Sequence, residues 1–183
     1  MTEVRGARVL LRGARPDEIE AVLRRVAAVE LEACDEAAVE RKRTRLRRSG
    51  ERNDTEVWFV VEVGGRLVGD IQGRSSRMAM PPGVWELGVE LWEEADRGRG
   101  HGREACALLT SYLFEEQGAI RVQATTDLDN TAMRRTLETL GFGFEGTLRG
   151  FMPQPEGSAR DYAMYGVTDR DWRSVRERWI RAS

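Results

Sequence analysis

Three glycines alternate with charged residues in Arg97-Gly-Arg-Gly-His-Gly-Arg-Glu-Ala105, between a stretch that reads as a strand and one that reads as a helix. Glycine at such a turn lets the backbone fold tightly and bring several N–H groups to bear on one anion. The helix start, with Arg97, Arg99 and Arg103, adds positive potential. The chemistry on offer is a phosphate cradle; the alternative is a plain tight turn. A Walker loop would close on Gly-Lys-Ser/Thr, where this chain has Gly102-Arg103-Glu104. A dinucleotide fingerprint fails too, because the third glycine arrives one residue early and the preceding strands form a hairpin rather than a βαβ unit.

Just upstream, Glu86 and Glu90 fall on one strand with Gly88 between them, so all three share a sheet face. A carboxylate there could take a proton from a nucleophile, or could simply be solvated on an alternating strand. His101 is the only histidine, yet it sits inside the glycine loop and reads as a loop residue rather than a base. Asn130 stands where it can cap the next helix.

These residues need elements to hold them. Ala7–Arg12 reads as a first strand, and a helix follows with Ile19, Val22, Leu23 and Val26 on one face. A second helical stretch carries Arg41–Arg48. Val57–Val63 and Arg66–Gln72 form a hairpin through Gly64-Gly65, since glycine supplies the positive φ of a primed turn. Val84–Leu91 is the strand before the loop. The helix after it has Ala105, Leu108, Leu109, Tyr112 and Leu113 on one face. A strand over Ala119–Thr126 and a helix with Met133, Leu137 and Leu140 come next, and Gly141 sits where a left-handed cap belongs. Two strands (Phe144–Arg149 and Arg160–Val167) flank the loop Gly150–Ala159, and a helix with Trp172, Val175 and Trp179 closes the chain. The order predicts a mixed α/β fold: a central, mostly antiparallel sheet flanked by helices, in a single domain over residues 1–183.

Composition agrees. With 183 residues, 40% hydrophobic and 33% charged, the chain suits one globular core. A net charge of −2 argues against a sequence-wide grip on nucleic acid. Two cysteines (Cys34 and Cys106) and one histidine cannot build a Cys/His zinc site, and both thiols are expected reduced and buried. Met1–Arg12 has no apolar signal-peptide core and no stretch approaches a membrane span, so a soluble, cytoplasmic protein is expected.

Arg97-Gly-Arg-Gly100-His-Gly102 resembles the Gln/Arg-x-x-Gly-x-Gly/Ala signature of the GNAT superfamily of acyl-CoA-dependent N-acetyltransferases. Asn130-Thr-Ala-Met-Arg-Arg-Thr-Leu137-Glu-Thr-Leu140-Gly-Phe142, then Glu145-Gly146 and Leu148-Arg149, resemble the N-x-x-S…LE-x-LGF…EG-x-LR run of its RimJ/RimL-type branch. Arg8–Arg12, Phe59–Gly69, Glu86–Leu91 and Asp171-Trp172 fall in the order of that branch, so the likeness spans nearly the whole chain.

The resemblance implies acetyl-CoA as acyl donor, no metal, and a primary amine of a small molecule or a protein N-terminus as acceptor. It places the pyrophosphate on Arg97, Gly98, Arg99, Gly100, His101 and Gly102, and pantetheine on the strand edge at Leu91 and Trp92, where a backbone N–H would polarise the thioester. Asn130 would help hold the cofactor arm. Glu86 is the first choice of base and Glu90 the second. Glu94 stands where proline is common, and the stretch from Leu91 to Arg97 is about one residue longer than usual. The usual serine and tyrosine acids are replaced by Met133 and Leu137; Tyr162 and Tyr165 are the remaining hydroxyl candidates. Val29–Glu40, with Glu30, Glu32, Asp35 and Glu36, and Gly150–Ala159 would frame the acceptor, and members often pair as homodimers. Two other readings stay open. One is a non-catalytic acyl-CoA sensor. The other is an RNA- or ribosome-binding module using Arg41–Arg48, against which stands the plainer reading of a solvated helix face paired with Glu36 and Glu40.

Overall fold

Strand β3 (Glu56–Val63) shows why the sheet is covered on both sides: its sequence Glu-Val-Trp-Phe-Val-Val-Glu-Val is apolar without alternation. Val57, Phe59 and Val61 enter one core; Trp58 and Val60 enter another on the opposite face. The computed structural model describes residues 2–29, 36–75 and 80–182. Among these, eight strands form one sheet in the order β1-β2-β3-β4-β5-β6-β8-β7. They are β1 (Val4–Arg5), β2 (Val9–Arg12), β3, β4 (Arg66–Arg74), β5 (Val84–Leu91), β6 (Arg121–Asp127), β7 (Gly143–Pro153) and β8 (Ala159–Thr168). All neighbours are antiparallel except β5 and β6. The mixed, mostly antiparallel architecture expected from the sequence is the one observed.

Helices α1 (Ile19–Val29) and α2 (Glu36–Arg47) close the Trp58 face. Helices α3 (His101–Glu115), α4 (Thr131–Thr139) and α5 (Asp169–Ala182) lie with the larger core, where Leu109, Leu113, Leu137 and Trp172 are buried. Gly64 and Gly65, at φ 58° and 79°, make the expected hairpin turn.

Three local readings change. The two-residue β1 pairs with β2 and is too short to leave a pattern. Glu94–Asp96, inside the elongated stretch before the loop, folds as a single 3₁₀ turn. The expected loop Gly150–Ala159 shrinks to 154–158, because β7 runs on to Pro153 and a tight turn closes it through Gln154 N–H to Ser158 O at 2.9 Å. That strand is an exposed edge, so its sequence lacks the alternation that marks half-buried strands. Of the expected acceptor frame, Glu30, Glu32, Cys34 and Asp35 lie outside the described residues.

Candidate active site

The site forms where the sheet opens. β5 and β6 pair only over Val84↔Arg121, Trp85↔Val122 and Glu86↔Gln123. Beyond Glu86, β5 keeps β4 as its ladder partner through Leu91. The ladder's alternation then fixes which backbone groups face the opening. Trp92 N–H donates to Val68 O at 3.0 Å, so the alternate residues Glu90 and Gly88 also turn their backbone groups to β4. Leu87, Val89 and Leu91 turn theirs to the open side. The Leu91 carbonyl is taken by Arg97, from Nη2 at 3.0 Å and Nε at 3.3 Å. The N–H groups of Val89 and Leu91 remain aimed into the gap. This corrects half of the Leu91–Trp92 expectation: the Trp92 N–H is committed to Val68.

On the α3 side of β5 lies a cleft of about 510 Å³. It brings together Leu91, Arg97, Gly98, Arg99, Gly100, Gly102 and Asn130 from the expected set. Gly98 and Gly100 have φ of 70° and 85°, a left-handed backbone that puts the loop into a tight bend ahead of α3. Gly100 caps α3 with no side-chain hydrogen bond, so the first-turn N–H groups have neither a side-chain cap nor intrahelical acceptors. Asn130 caps α4, accepting from Met133 N–H at 3.1 Å, while it also lines the cleft; both of its proposed roles are compatible.

Arg103, expected from the sequence to add positive potential, also lines the cleft, and so does Arg8, which was not expected there. Arg8 comes from the turn before β2. Its Nη1 donates to Arg99 O at 3.0 Å and its Nε reaches Glu104 at 3.3 Å. Glu104 in turn accepts from the N–H groups of Arg8 and Val9 at 2.8 and 3.1 Å, which ties the first turn of α3 to β2. The nearest sequence signal was the Arg8–Arg12 block, which says nothing about direction. Four arginines and a helix N-terminus thus surround one cleft, a donor set that fits consecutive phosphates. The open β5 edge fits an extended amide-bearing arm.

His101 does not join it. The imidazole is buried, lines no part of the cleft, and its Nδ1 has no partner. Its place in the expected cofactor set therefore reduces to its backbone. Trp92 likewise turns its ring to the opposite face, where the indole N–H donates to Asp70 Oδ1 at 3.0 Å.

That opposite face holds a cavity of about 200 Å³ lined by Val26, Asp70, Gln72, Gly88, Val89, Glu90 and Trp92. Burial raises the Glu90 carboxyl above its ordinary range, with Arg97 acting against it. Glu86 shares this sheet face but accepts from Thr125 Oγ1 at 3.3 Å and does not line the cavity. Asp70 was not singled out from the sequence. It is buried, and its two oxygens accept from the indoles of Trp58 and Trp92, each at 3.0 Å. Burial pushes its carboxyl up to about 6 against those two hydrogen bonds.

The remaining candidates are accounted for. Leu137 is core and Met133 lines the cleft, so the only hydroxyl among the described lining residues is Thr136. Tyr165 is buried, donating to Glu138 Oε1 at 2.9 Å and accepting from Arg134 at 3.2 Å. Tyr162 stacks near Phe151 on the β7–β8 hairpin. Cys106 is buried in the core, which pushes its thiol up to about 12. The arginine run is paired: Arg43 with Glu20 and Glu40, Arg45 with Glu56, Arg47 with Glu40, Arg48 with Glu51. Among the described residues no group of three His, Cys, Asp or Glu could hold a metal, and no helix is long and apolar enough to cross a membrane.

Comparison with known proteins bears on the family and the fold. A family model described as an acetyltransferase (GNAT) domain matches residues 8–143. YoaA, an uncharacterised N-acetyltransferase of Bacillus subtilis (strain 168), is 35% identical over 82 residues, covering 45% of each chain. The match thus spans about half the length of that relative. Among solved structures, Mycobacterium smegmatis RimJ in complex with CoA-disulfide superposes with a TM-score of 0.72 at 23% identity, over 88% of this chain and 82% of that one. A GCN5-related N-acetyltransferase from Brucella melitensis gives 0.68 at 24%, over 96% and 82%. At these identities the two structures speak for the fold.

Proposed function

The chain belongs to the GNAT acetyltransferase family, and from that premise we propose that it transfers an acetyl group from acetyl-CoA directly to a primary amine. The observation that carries the reading is the division of labour across β5: an arginine-lined cleft on one face, a carboxylate-lined cavity on the other, and open backbone N–H groups between them.

Acetyl-CoA would supply the activated acyl group as a thioester. The first turn of α3 and Arg8, Arg97, Arg99 and Arg103 hold its phosphates, and the Val89–Leu91 edge holds the arm. The N–H of Val89 or Leu91, fixed in the ladder, donates to the carbonyl oxygen as negative charge builds on it. The amine must be neutral to attack, and Glu90 takes its proton: its raised pKa makes it a better base than an ordinary carboxylate. Glu86, the first choice from sequence, is tied to Thr125 and ranks second. With Met133 and Leu137 at the usual acid positions, the thiolate leaves to solvent. The acceptor is a small-molecule amine or a protein N-terminus, met in the cytoplasm.

The reading is tested by a thiol-release assay with acetyl-CoA over a broad amine panel, with the product's mass gain of one acetyl group as confirmation. Coenzyme binding without turnover of any amine would overturn it in favour of an acyl-CoA sensor.

A further inference from the structure

Asp70 is the charged group that the transfer reading leaves without a task. It is 6% exposed, and among the described residues no cationic side chain pairs with it. A carboxylate offers about four acceptor positions, and the Trp58 and Trp92 indoles fill two, one on each oxygen. The rest face a cavity whose described lining contains a second carboxylate, Glu90, and no basic residue. Burying a charge with hydrogen bonds but no counter-ion is costly, and a bound cation would remove that cost.

Position says where such a cation would sit. Asp70 and Glu90 are direct partners across β4 and β5, so their Cα atoms are ~5.5 Å apart. Glu90 stands on the strand that borders the coenzyme cleft, and Asp70 lies one strand further from the opening. A molecule with its reacting amine at Glu90 would therefore reach Asp70 with a group about one strand spacing away.

We propose that Asp70 is a specificity-determining residue that selects acceptors carrying a second cationic group a short aliphatic chain from the reacting amine, as in a short diamine. Val26 and the Trp92 ring supply apolar wall for that chain. This rests on the amine-acetylation reading and names its substrate class. Other charged groups leave the cation site to Asp70. Arg97 acts on Glu90 from the loop side, and Arg45 of α2 lies over Trp58 but is paired with Glu56. On α1, Arg25 is paired with Glu93.

The probes are putrescine and its monoamine counterpart butylamine, followed by acetyl-CoA turnover and by calorimetric binding to the full chain. In the wild type, kcat/KM for putrescine should exceed that for butylamine on the order of a hundredfold, the scale of a buried charge pair. In Asp70→Asn that ratio should fall towards one, with a coenzyme A-induced rise in Tm showing that the variant is folded. Putrescine binding to the wild type should weaken as pH falls through about 6, where Asp70 takes up a proton. That titration needs no variant. Trp92→Phe, which removes a hydrogen bond favouring the ionised form, should move its midpoint upward. Equal use of both amines by the wild type, or a ratio preserved in Asp70→Asn, overturns the proposal and leaves acetyl transfer standing. Putrescine binding with this pH dependence but no acetylation of any amine supports the cation site and defeats the transfer reading instead.

Discussion

Gly100→Val tests the cofactor cleft most directly, because the structure sets both effects of the change. At φ 85° the residue is left-handed, which costs a side-chain-bearing residue ~1–2 kcal/mol. An added Cβ would also lie 3.0 Å from Arg8 Nη2, so that guanidinium must shift from the wall it shares with the loop. A domain of this size loses about 2–4 °C per kcal/mol, giving a basal Tm lower by roughly 2–8 °C. Coenzyme A at a hundred times its Kd stabilises the wild type by about 2.7 kcal/mol, a rise of roughly 5–11 °C. Losing one or two charge-assisted phosphate contacts, at ~1.5–3 kcal/mol each, weakens affinity by at least about tenfold. At a hundredfold loss the same coenzyme concentration raises Tm by only about 1–2 °C. Gly64→Val is the control: its φ is 58° with nothing within 4 Å of an added Cβ, so it carries comparable backbone strain away from the cleft. Scanning fluorimetry of the three proteins with and without coenzyme A separates strain from binding. A full coenzyme shift in folded Gly100→Val would refute the cradle.

Glu90→Gln should lower kcat about 10²- to 10⁴-fold with the coenzyme A shift in Tm retained, and Glu86→Gln should do less; the reverse order would return the base to Glu86. The kcat–pH profile should climb to a plateau as Glu90 and the amine lose their protons, and an alkaline limb would reveal a protein acid. Asp70 is raised from 3.8 to about 6 on folding, so the folded state binds the proton more tightly. Its contribution is fully present below about 4 and is lost as pH rises through about 6, up to about 3 kcal/mol in all. Urea denaturation should therefore show Asp70→Asn gaining on the wild type over that window, and a constant difference would contradict the burial argument. Neutralising Arg43, Arg45, Arg47 and Arg48 together should lower Tm and leave RNA binding unchanged in a salt-titrated assay, because those groups are engaged with carboxylates.

What the sequence determined by itself is local or periodic. The glycine loop, the Gly64-Gly65 hairpin, the Asn130 cap and the α3 and α4 stripes each follow from a few neighbouring residues whose backbone preferences act over one turn. The element order followed from these, and with it the mixed sheet and the family. Tertiary structure decided everything that depends on register. Which N–H groups of β5 are open depends on where that strand stops pairing with β6, and Trp92's commitment to Val68 is invisible without the ladder. Arg8 reaches the loop from 91 residues away. Asp70 had no motif to mark it. Its character comes from Trp58 and Trp92 converging on it from two other segments, and from burial that no single-strand pattern encodes. Hydrogen bonds and desolvation act through space, so a carboxylate's pKa and partners are set by the packed fold rather than by its neighbours in the chain.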